Sequence, residues 1–447
     1  MERTRSGVGM VAHDSLARVE PAQAAAPSRS SSPDLSYRVA ASRLQGVVQV
    51  SGAKNSVLRL LAASLLTGET VEIANYPATL LDAQVHLGML EALGKCCTVT
   101  GDTVIIAESK RPASVLKWSG RSIRNTLLIL GALTARTGAG AVPFPGGCKF
   151  GDRKYDLHVM LLTALGASVT ESNTHLEAHA PQGLTGTHIH LPIRSTGATE
   201  NAILCGTLAR GLTTVWNPHI RPEIMDLIAM LRAMGAEITV FGQERVEIVG
   251  REGLSGVRHT VIPDNMEALT WLVGASITKG DVEICGFPTR DLEVPLIHLK
   301  ESGAQFYLGS DSVIVRGGAC YPVEISTGAY PGINSDMQPL FAIFGAMSRG
   351  ESKVIDLRFP GRYLYAEQLH LMGLKCTIED NLLRIWGGGP LRGCEVTALD
   401  LRAGIALTLA GLVAEGETVV REAWQIERGY DRFVAKIQAL GGKVVPE

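Results

Sequence analysis

Aromatic residues are scarce in this 447-residue sequence, at 5% of the chain, and long apolar runs are missing. With so few rings, the interior must be built mainly from Ala, Val, Leu and Ile, because apolar residues still make up 46%. The longest apolar segments, 126–135 and 403–414, fall short of the roughly 18–20 residues that span a bilayer. We therefore expect two buried helices at these positions and no contact with a membrane.

A surplus of one charge is also absent. The chain has 42 Lys and Arg against 44 Asp and Glu, which gives a formal net charge of −2. This balance provides no general attraction to nucleic acid or to a membrane surface. Any anionic ligand must therefore be bound by a local arrangement of basic residues.

None of the eight cysteines belongs to a C-x-x-C pair, so the spacing of zinc and redox sites is missing. The sequence also has neither a Walker loop nor a Rossmann glycine fingerprint. It predicts no metal site and no cofactor. Free thiols in a chain without an export signal are typical of a cytoplasmic protein.

Residues 1–35 are rich in Ala, Ser, Pro and Arg, and Asp14 and Glu20 interrupt any apolar stretch. This composition excludes a signal-peptide core and predicts a disordered tail. The rest of the chain is too long for one ordinary core, which predicts two domains.

A repeated unit is the most informative feature of the sequence. A helix-like segment that ends in a glycine and leads into a short strand recurs six times, at intervals of roughly 70 residues. Each glycine has the position of a left-handed helix C-cap. The six glycines are Gly94, Gly166, Gly235, Gly303, Gly373 and Gly441. An earlier apolar helix completes a β-α-β-α-β-β unit, which is too long for a short-repeat solenoid and predicts two domains of three units each.

Basic residues lie at the start of three apolar helices, at Lys54, Arg124 and Arg402. A helix N-terminus carries free N–H groups and partial positive charge, so it favours anions and disfavours cations. The repetition of this unfavourable placement predicts a polyanionic ligand, held by a clamp for phosphate and carboxylate groups.

Serines precede three of the apolar helices. A serine at this position accepts a hydrogen bond from an N–H group of the first turn, which makes it a favoured N-cap. We expect Ser51, Ser195 and Ser335 to be N-caps.

One loop, residues 143–153, combines Pro and Gly with a cysteine. Its composition is typical of an exposed, turn-rich segment. Cys148 is flanked by Lys149 and Arg153, whose charges favour the thiolate form. The sequence therefore predicts that Cys148 is reactive.

Six motifs occur in a fixed order: SGAKN, PGGC-x-x-G-x-R-x-x-DLH, STGATEN, DMQ, DLRA and I-x-RGY. Together they resemble the UDP-N-acetylglucosamine enolpyruvyl transferase family, over about residues 36–447. That family starts peptidoglycan synthesis and is related to the shikimate-pathway enolpyruvyl transferase, EPSP synthase. The resemblance implies an α/β (α+β) fold, a two-domain inside-out α/β barrel with the active site in the cleft.

The resemblance also implies how the chain is divided between the domains. Residues 36–53 and 262–447 are expected to form one domain with the last three repeats. Residues 54–261 are expected to form the other, with the first three repeats and the Cys148 loop.

The implied reaction moves the enolpyruvyl group of phosphoenolpyruvate to a hydroxyl of a uridine nucleotide and releases phosphate. Phosphoenolpyruvate is implied to be held by Lys54, Arg124, Arg153, Arg362, Arg402 and Arg428. Cys148 is implied in proton donation and in an adduct with phosphoenolpyruvate, and Asp336 in taking the hydroxyl proton. Lys54, Arg428 and Asp400 are the other expected catalytic residues. In the family, the epoxide fosfomycin alkylates the matching cysteine.

The acceptor nucleotide is implied to contact residues from both halves of the chain. They are Asn55, Arg153, Lys154, Tyr155, Asp156, Leu157, His158, Ser195, Thr196, Gly197, Glu223 and Asp336.

The chain departs from the cell-wall enzyme at segments 153–158, 221–223, 263–267, 333–338 and 360–362. The residues expected to bind phosphoenolpyruvate are kept, whereas those around the acceptor change. This pattern favours a different acceptor, the 3′-hydroxyl of UMP, which some enolpyruvyl transferases of nucleoside-antibiotic pathways use. The alternative is UDP-N-acetylglucosamine, and the remote alternative is a non-catalytic, nucleotide-binding regulator with the same fold.

Overall fold

The computed structural model describes residues 34–145, 155–359 and 361–447, and the following helices and strands all lie in those ranges. The α-helices are α1 (Lys54–Ala63), α2 (Leu81–Ala92), α3 (Thr126–Thr137), α4 (Asp156–Ala164), α5 (Thr196–Gly206), α6 (Pro222–Ala233), α7 (Asn265–Ile277), α8 (Glu293–Glu301), α9 (Gln338–Ala346), α10 (Leu364–Leu371), α11 (Leu401–Gly411), α12 (Trp424–Glu427) and α13 (Phe433–Ala439). Short 3-10 helices span Ser64–Leu66, Thr289–Leu292 and Ser335–Met337.

The strands are β1 (Tyr37–Ala40), β2 (Gln45–Gln49), β3 (Val71–Ala74), β4 (Lys95–Thr100), β5 (Thr103–Glu108), β6 (Ala139–Pro143), β7 (Ser168–Glu171), β8 (His175–His179), β9 (His188–His190), β10 (Leu212–Trp216), β11 (Glu237–Phe241), β12 (Arg245–Val249), β13 (Val257–Thr260), β14 (Asp281–Cys285), β15 (Gln305–Leu308), β16 (Ser312–Arg316), β17 (Glu324–Ser326), β18 (Gly350–Ile355), β19 (Lys375–Glu379), β20 (Leu382–Gly387), β21 (Glu395–Thr397), β22 (Glu417–Arg421) and β23 (Lys443–Pro446).

The strands form six sheets among the described residues, as six repeated units require. The order β17-β18-β20-β19 shows the pattern, in which the first two strands are parallel and the last two form an antiparallel hairpin. The sheet β6-β8-β7 is one strand short, and a single parallel bridge from Val115 to Ala141 takes the place of its first strand. The predicted β-α-β-α-β-β repeat is thus confirmed.

Helices lie inside the sheets. Every residue of α7, α9 and α11 is buried, whereas the strands around them alternate between buried and exposed positions. A helix that is apolar on all sides belongs in an interior, and small residues allow such helices to pack closely. At Gly131 on α3, an added Cβ would lie 1.8 Å from Oδ1 of Asn201 on α5. This is the predicted inside-out arrangement, and α3 and α11 are the predicted buried helices.

The six repeat glycines all have left-handed backbone conformations, with φ between 81° and 103°. A side chain is strained at such angles, so glycine ends each helix at the position where the chain must reverse into a strand. The C-cap prediction from the sequence is confirmed.

The described residues have two separate apolar cores. One combines residues 37–50 with residues 266–444, and the other extends over residues 53–261. We call these the C-terminal half and the N-terminal half. The chain therefore crosses between them twice, and a bridge from Gly52 to Pro263 joins the two crossings. We propose that these crossings mark the domain boundaries.

Three sheets are completed by strands from distant parts of the chain. Strands β1 and β2 join sheets of the C-terminal half, whereas β13 pairs with β3 in the N-terminal half. Most of the expected tail lies outside the described residues, but the carbonyl of Leu35 accepts a hydrogen bond from the Ala423 N–H. No helix in the described ranges is both long and apolar enough to cross a bilayer.

Candidate functional site

A cavity of about 970 Å³ lies between the two halves. The N-termini of α1, α5 and α11 and the 3-10 helix Ser335–Met337 all contribute to its lining. Fourteen sequence-predicted site residues line it: Lys54, Asn55, Arg124, Asp156, Leu157, His158, Ser195, Thr196, Gly197, Asp336, Arg362, Asp400, Arg402 and Arg428. The cavity therefore has the polar, basic lining that the helix starts predict.

Five expected site residues are not among those that line the cavity. Cys148, Arg153 and Lys154 lie outside the described residues. Tyr155 is half-buried, and its hydroxyl donates to Glu171 Oε1 on β7 at 2.8 Å. Glu223 is buried behind the cavity.

Asp336 lies directly before α9, in contact with two buried arginines. Its Oδ1 is 2.7 Å from Arg362 Nη1, and its Oδ2 is 3.5 Å from Arg402 Nε. The arginine side chains are only 6% and 3% exposed, whereas that of Asp336 is 28% exposed. Arg402 Nε has no hydrogen-bond partner among the described residues. A buried donor that makes no hydrogen bond, next to a cavity, indicates a place for an anionic ligand atom.

A second carboxylate, that of the fully buried Asp356, holds two segments of the chain next to this arginine pair. It accepts hydrogen bonds from Ser335 Oγ at 2.5 Å and Gln338 Nε2 at 2.8 Å. It also accepts the N–H groups of Arg358 and Phe359 at 2.8 and 2.9 Å. Asp356 thus holds the Asp336 segment and the loop before Arg362 in one arrangement.

Lys54 and Arg428 come from opposite halves and share one carboxylate. Lys54 Nζ is 3.0 Å from Asp82 Oδ2, and Arg428 Nε is 3.1 Å from Asp82 Oδ1. All three side chains are at most 10% exposed. Burial alone would raise the pKa of Asp82, but the charges of Lys54 and Arg428 outweigh it and hold the pKa below its ordinary value.

Two of the expected N-caps have other partners, so those predictions are wrong. Ser51 donates to Asp431 at 3.2 Å, and Ala53 is the cap residue of α1. Ser335 donates to Asp356, and Asn334 caps the 3-10 helix. In both cases the serine hydroxyl donates to a buried carboxylate from a distant segment, and another residue occupies the cap position.

Ser195 is the N-cap of α5, as predicted, and it accepts from the Ala198 N–H at 3.4 Å. Asp400 has the same role in α11, where its Oδ1 accepts the N–H groups of Arg402 and Ala403 at 2.6 and 2.8 Å. This contact fixes the direction in which α11 presents Arg402 to the cavity. The catalytic role expected for Asp400 stays a prediction.

His158 lines the cavity as a neutral imidazole. Burial lowers its pKa to about 3, and the charge of Arg124 acts in the same direction. Its Nδ1 is 3.1 Å from the amide nitrogen of Asn201, which can only donate. Its Nε2 lies beside Gly197 at the start of α5.

Two further ion pairs lie along the N-terminal half of the site. Arg221 binds Glu223 through two contacts, at 2.6 and 2.8 Å, and Arg59 binds Glu200 at 2.6 Å. Arg221, Arg59 and Glu200 line the cavity. The departure at 221–223 thus places an arginine in the site, with Glu223 as the carboxylate that holds it.

Five further residues that line the cavity were not predicted from the sequence: Asp82, Arg59, Glu200, Arg194 and Arg358. Glu200 belongs to the STGATEN motif, so its place in the site could have been read from the sequence. Asp82 belongs to no recognised motif, and its two partners are distant in the chain. Only the tertiary structure brings these groups together.

A family model described as EPSP synthase (3-phosphoshikimate 1-carboxyvinyltransferase) matches residues 39–437. The chain is 40% identical over 406 residues to UDP-N-acetylglucosamine 1-carboxyvinyltransferase 2 of Carboxydothermus hydrogenoformans, covering 90% of this chain and 96% of the relative. It is 38% identical over 418 residues to the UDP-N-acetylglucosamine 1-carboxyvinyltransferase of Zymomonas mobilis, with the same coverage.

Among solved structures, the enolpyruvyl transferase NikO from Streptomyces tendae superimposes with a TM-score of 0.85 at 27% identity. The match covers 92% of this chain and 99% of NikO. EPSP synthase from Acinetobacter baumannii matches with a TM-score of 0.71 at 21% identity, over 92% of this chain and all of that one. The second match supports the fold, which is the expected EPSP-synthase-like one.

Proposed function

We propose, from the premise that this chain belongs to the EPSP synthase family of enolpyruvyl transferases, that it moves the enolpyruvyl group of phosphoenolpyruvate to a hydroxyl of UDP-N-acetylglucosamine and releases phosphate. The observation that carries the proposal is the convergence of buried basic side chains and Asp336 on one cavity at helix N-termini. The relatives that are 38–40% identical support the acceptor.

Phosphoenolpyruvate carries a carboxylate and a phosphate, and the cavity offers charge for both. The basic residues are Lys54, Arg124, Arg362, Arg402 and Arg428. Guanidinium groups bind such anions through paired hydrogen bonds, and a buried site strengthens them. The Nε of Arg402 is ion-paired with Asp336 but makes no hydrogen bond among the described residues, so it is one donor for the ligand. These residues would hold the substrate and stabilise the charge that develops on it.

The chemistry then requires a base for the acceptor and an acid for C3 of phosphoenolpyruvate. Asp336 would accept the proton of the acceptor hydroxyl as its oxygen attacks C2. Cys148 would donate a proton to C3, as the resemblance implies. Loss of that C3 proton and cleavage of the C–O bond then release phosphate and restore the double bond in the product.

The acceptor that we propose differs from the one that the sequence alone favours. The departures around the acceptor segments favoured UMP, but the relatives favour the alternative, UDP-N-acetylglucosamine. UMP stays the second candidate, supported by those departures and by the close structural match to NikO at 27% identity.

A phosphate-release assay separates the candidates. The purified full-length protein is supplied with phosphoenolpyruvate and, in turn, UDP-N-acetylglucosamine, UDP or UMP, with each nucleotide alone as the control. We expect the fastest release with UDP-N-acetylglucosamine. Release with phosphoenolpyruvate and UMP, but with neither of the other two nucleotides, would establish the second candidate. No release with any of the three would contradict transfer and leave the non-catalytic regulator.

Fosfomycin tests the assignment of Cys148. We expect it to abolish phosphate release and to add one label per chain, on Cys148, because two neighbouring cations favour its thiolate. Peptide mapping by mass spectrometry locates the label. Cys96, an exposed cysteine on β4, is the internal control and should stay unmodified. A label on Cys96, or no label at all, would remove Cys148 from the mechanism.

A further inference from the structure

Two arginines from opposite halves meet at one rim of the cavity. Arg358 Nη2 donates to the backbone carbonyl of Arg194 at 2.9 Å. Both residues line the cavity; Arg358 is exposed and Arg194 is half-buried. The contact that joins them is therefore a guanidinium bound to a neutral carbonyl.

These two arginines differ from six other cations of the cavity, each of which has a carboxylate partner. The paired cations and their carboxylates are Lys54 and Arg428 with Asp82, Arg362 and Arg402 with Asp336, Arg59 with Glu200, and Arg221 with Glu223. Within the described part of the chain, no carboxylate oxygen lies within 4.0 Å of the side-chain nitrogens of Arg194 or Arg358. Two positive charges are thus left uncompensated at the rim.

The fold holds these charges in place. Asp356 accepts the N–H groups of Arg358 and Phe359, so the backbone of the loop is fixed while the guanidinium extends into the rim. Arg194 Nε donates to Asn217 Oδ1 at 3.3 Å. Two positive charges without a carboxylate partner at one rim favour the binding of an anion there.

The protonation state of the neighbouring His219 agrees with positive charge at this rim. His219 bridges the halves, since its Nε2 accepts the Tyr330 N–H at 3.1 Å and its Nδ1 is 2.8 Å from Thr196 Oγ1. Burial lowers the pKa of His219 to about 4, and the charges of Arg221, Arg358 and Arg194 act in the same direction. The imidazole stays neutral, and the positive charge at this rim is carried by arginines.

We propose that Arg194 and Arg358 form a clamp across the cleft for a phosphate group of the acceptor nucleotide. The inference rests on the proposed function and adds two residues to it. Arg194 directly precedes Ser195, Thr196 and Gly197 at the N-terminus of α5, which are expected to contact the acceptor. A phosphate ester at this rim would receive charge from both halves, so it would also hold the cleft closed.

The test compares nucleosides with and without phosphate. Dissociation constants of uridine, UMP and UDP are measured by calorimetry for the full-length wild type and for Arg358→Gln and Arg194→Gln. We expect each variant to weaken UDP binding by about 10- to 100-fold, the usual effect of losing a charge-assisted contact, with uridine binding unchanged. Arg349→Gln is the matched control, because Arg349 is exposed, lies in the C-terminal half and is not among the cavity residues.

Three results would overturn the clamp. UDP binding within about threefold of wild type in both variants would show that the arginines do not bind phosphate. An equal loss for uridine and UDP would show a structural effect of the substitution instead. A lack of UDP binding to the wild type would show that the cavity does not bind the phosphate groups. Because binding is measured without phosphoenolpyruvate, a protein that binds UDP through Arg358 but releases no phosphate would contradict the proposed function and leave the clamp standing.

Discussion

Asp336→Asn is expected to lower kcat by a factor on the order of 10²–10⁴ while binding of both substrates is largely kept. The carboxylate is the acidic group that Arg362 and Arg402 both contact at the cavity, and it is 28% exposed there. An amide keeps the size of the side chain and one oxygen for Arg362, but it cannot accept the proton of the acceptor hydroxyl. Steady-state kinetics with both substrates measure the effect.

The competing explanation is that Asp336 only stabilises the start of a helix, which is worth roughly 0.3–1 kcal/mol. In that case turnover should stay nearly intact. Asp291→Asn is the matched control, since Asp291 also lies in a 3-10 helix of the C-terminal half but does not line the cavity. If Asp336→Asn turns over within about tenfold of wild type, Asp336 is not the base.

Asp82→Asn is expected to lower the free energy of unfolding by about 3–5 kcal/mol, the usual cost of removing one partner from a buried ion pair. Lys54 and Arg428 would then face each other in a buried site without their shared carboxylate. Denaturant unfolding measures the change. Asp102→Asn, at an exposed turn of the same half, is the control and should leave stability nearly unchanged.

The same residue gives the stability a defined pH dependence. Because the folded pKa of Asp82 lies below its ordinary value of 3.8, its contribution is fully present above about pH 4 and is lost as the pH falls through the folded pKa. Asp82→Asn should lack this acid-sensitive contribution. Phosphoenolpyruvate should also raise the Tm of the variant more than that of wild type, because the anion replaces the missing charge. A variant as stable as wild type at pH 7 would contradict this account.

The features that the sequence predicted are helix ends and an anion site, both of which depend on local patterns. The repeat glycines set helix ends through their own backbone conformation, so their left-handed geometry followed from position alone. Basic residues at helix starts likewise predicted an anion site, because the helix dipole makes that placement costly. Lys54 and Arg402 do lie in the cavity.

The sequence did not predict interactions between distant segments. Ser51 and Ser335 have the local pattern of N-caps, but Asp431 and Asp356, which only the fold brings near, take their hydrogen bonds. Asp82 was missed for the same reason, since its partners come from another helix and from the other half. Charge pairing in a cleft depends on which elements meet, and a single sequence does not contain that information.

The pairing of strand β1 also sets the order in which the two halves can fold during synthesis. It pairs with β22 and β23, with Tyr37 opposite Pro446, so its partners leave the ribosome roughly 400 residues later. At about 5–20 residues per second, this delay is on the order of 20–80 s. The N-terminal half contains all the strands of its own three sheets and can fold during the delay. A nascent chain should therefore carry one finished half, while β1 stays unpaired and exposed to other chains until β22 and β23 have been made.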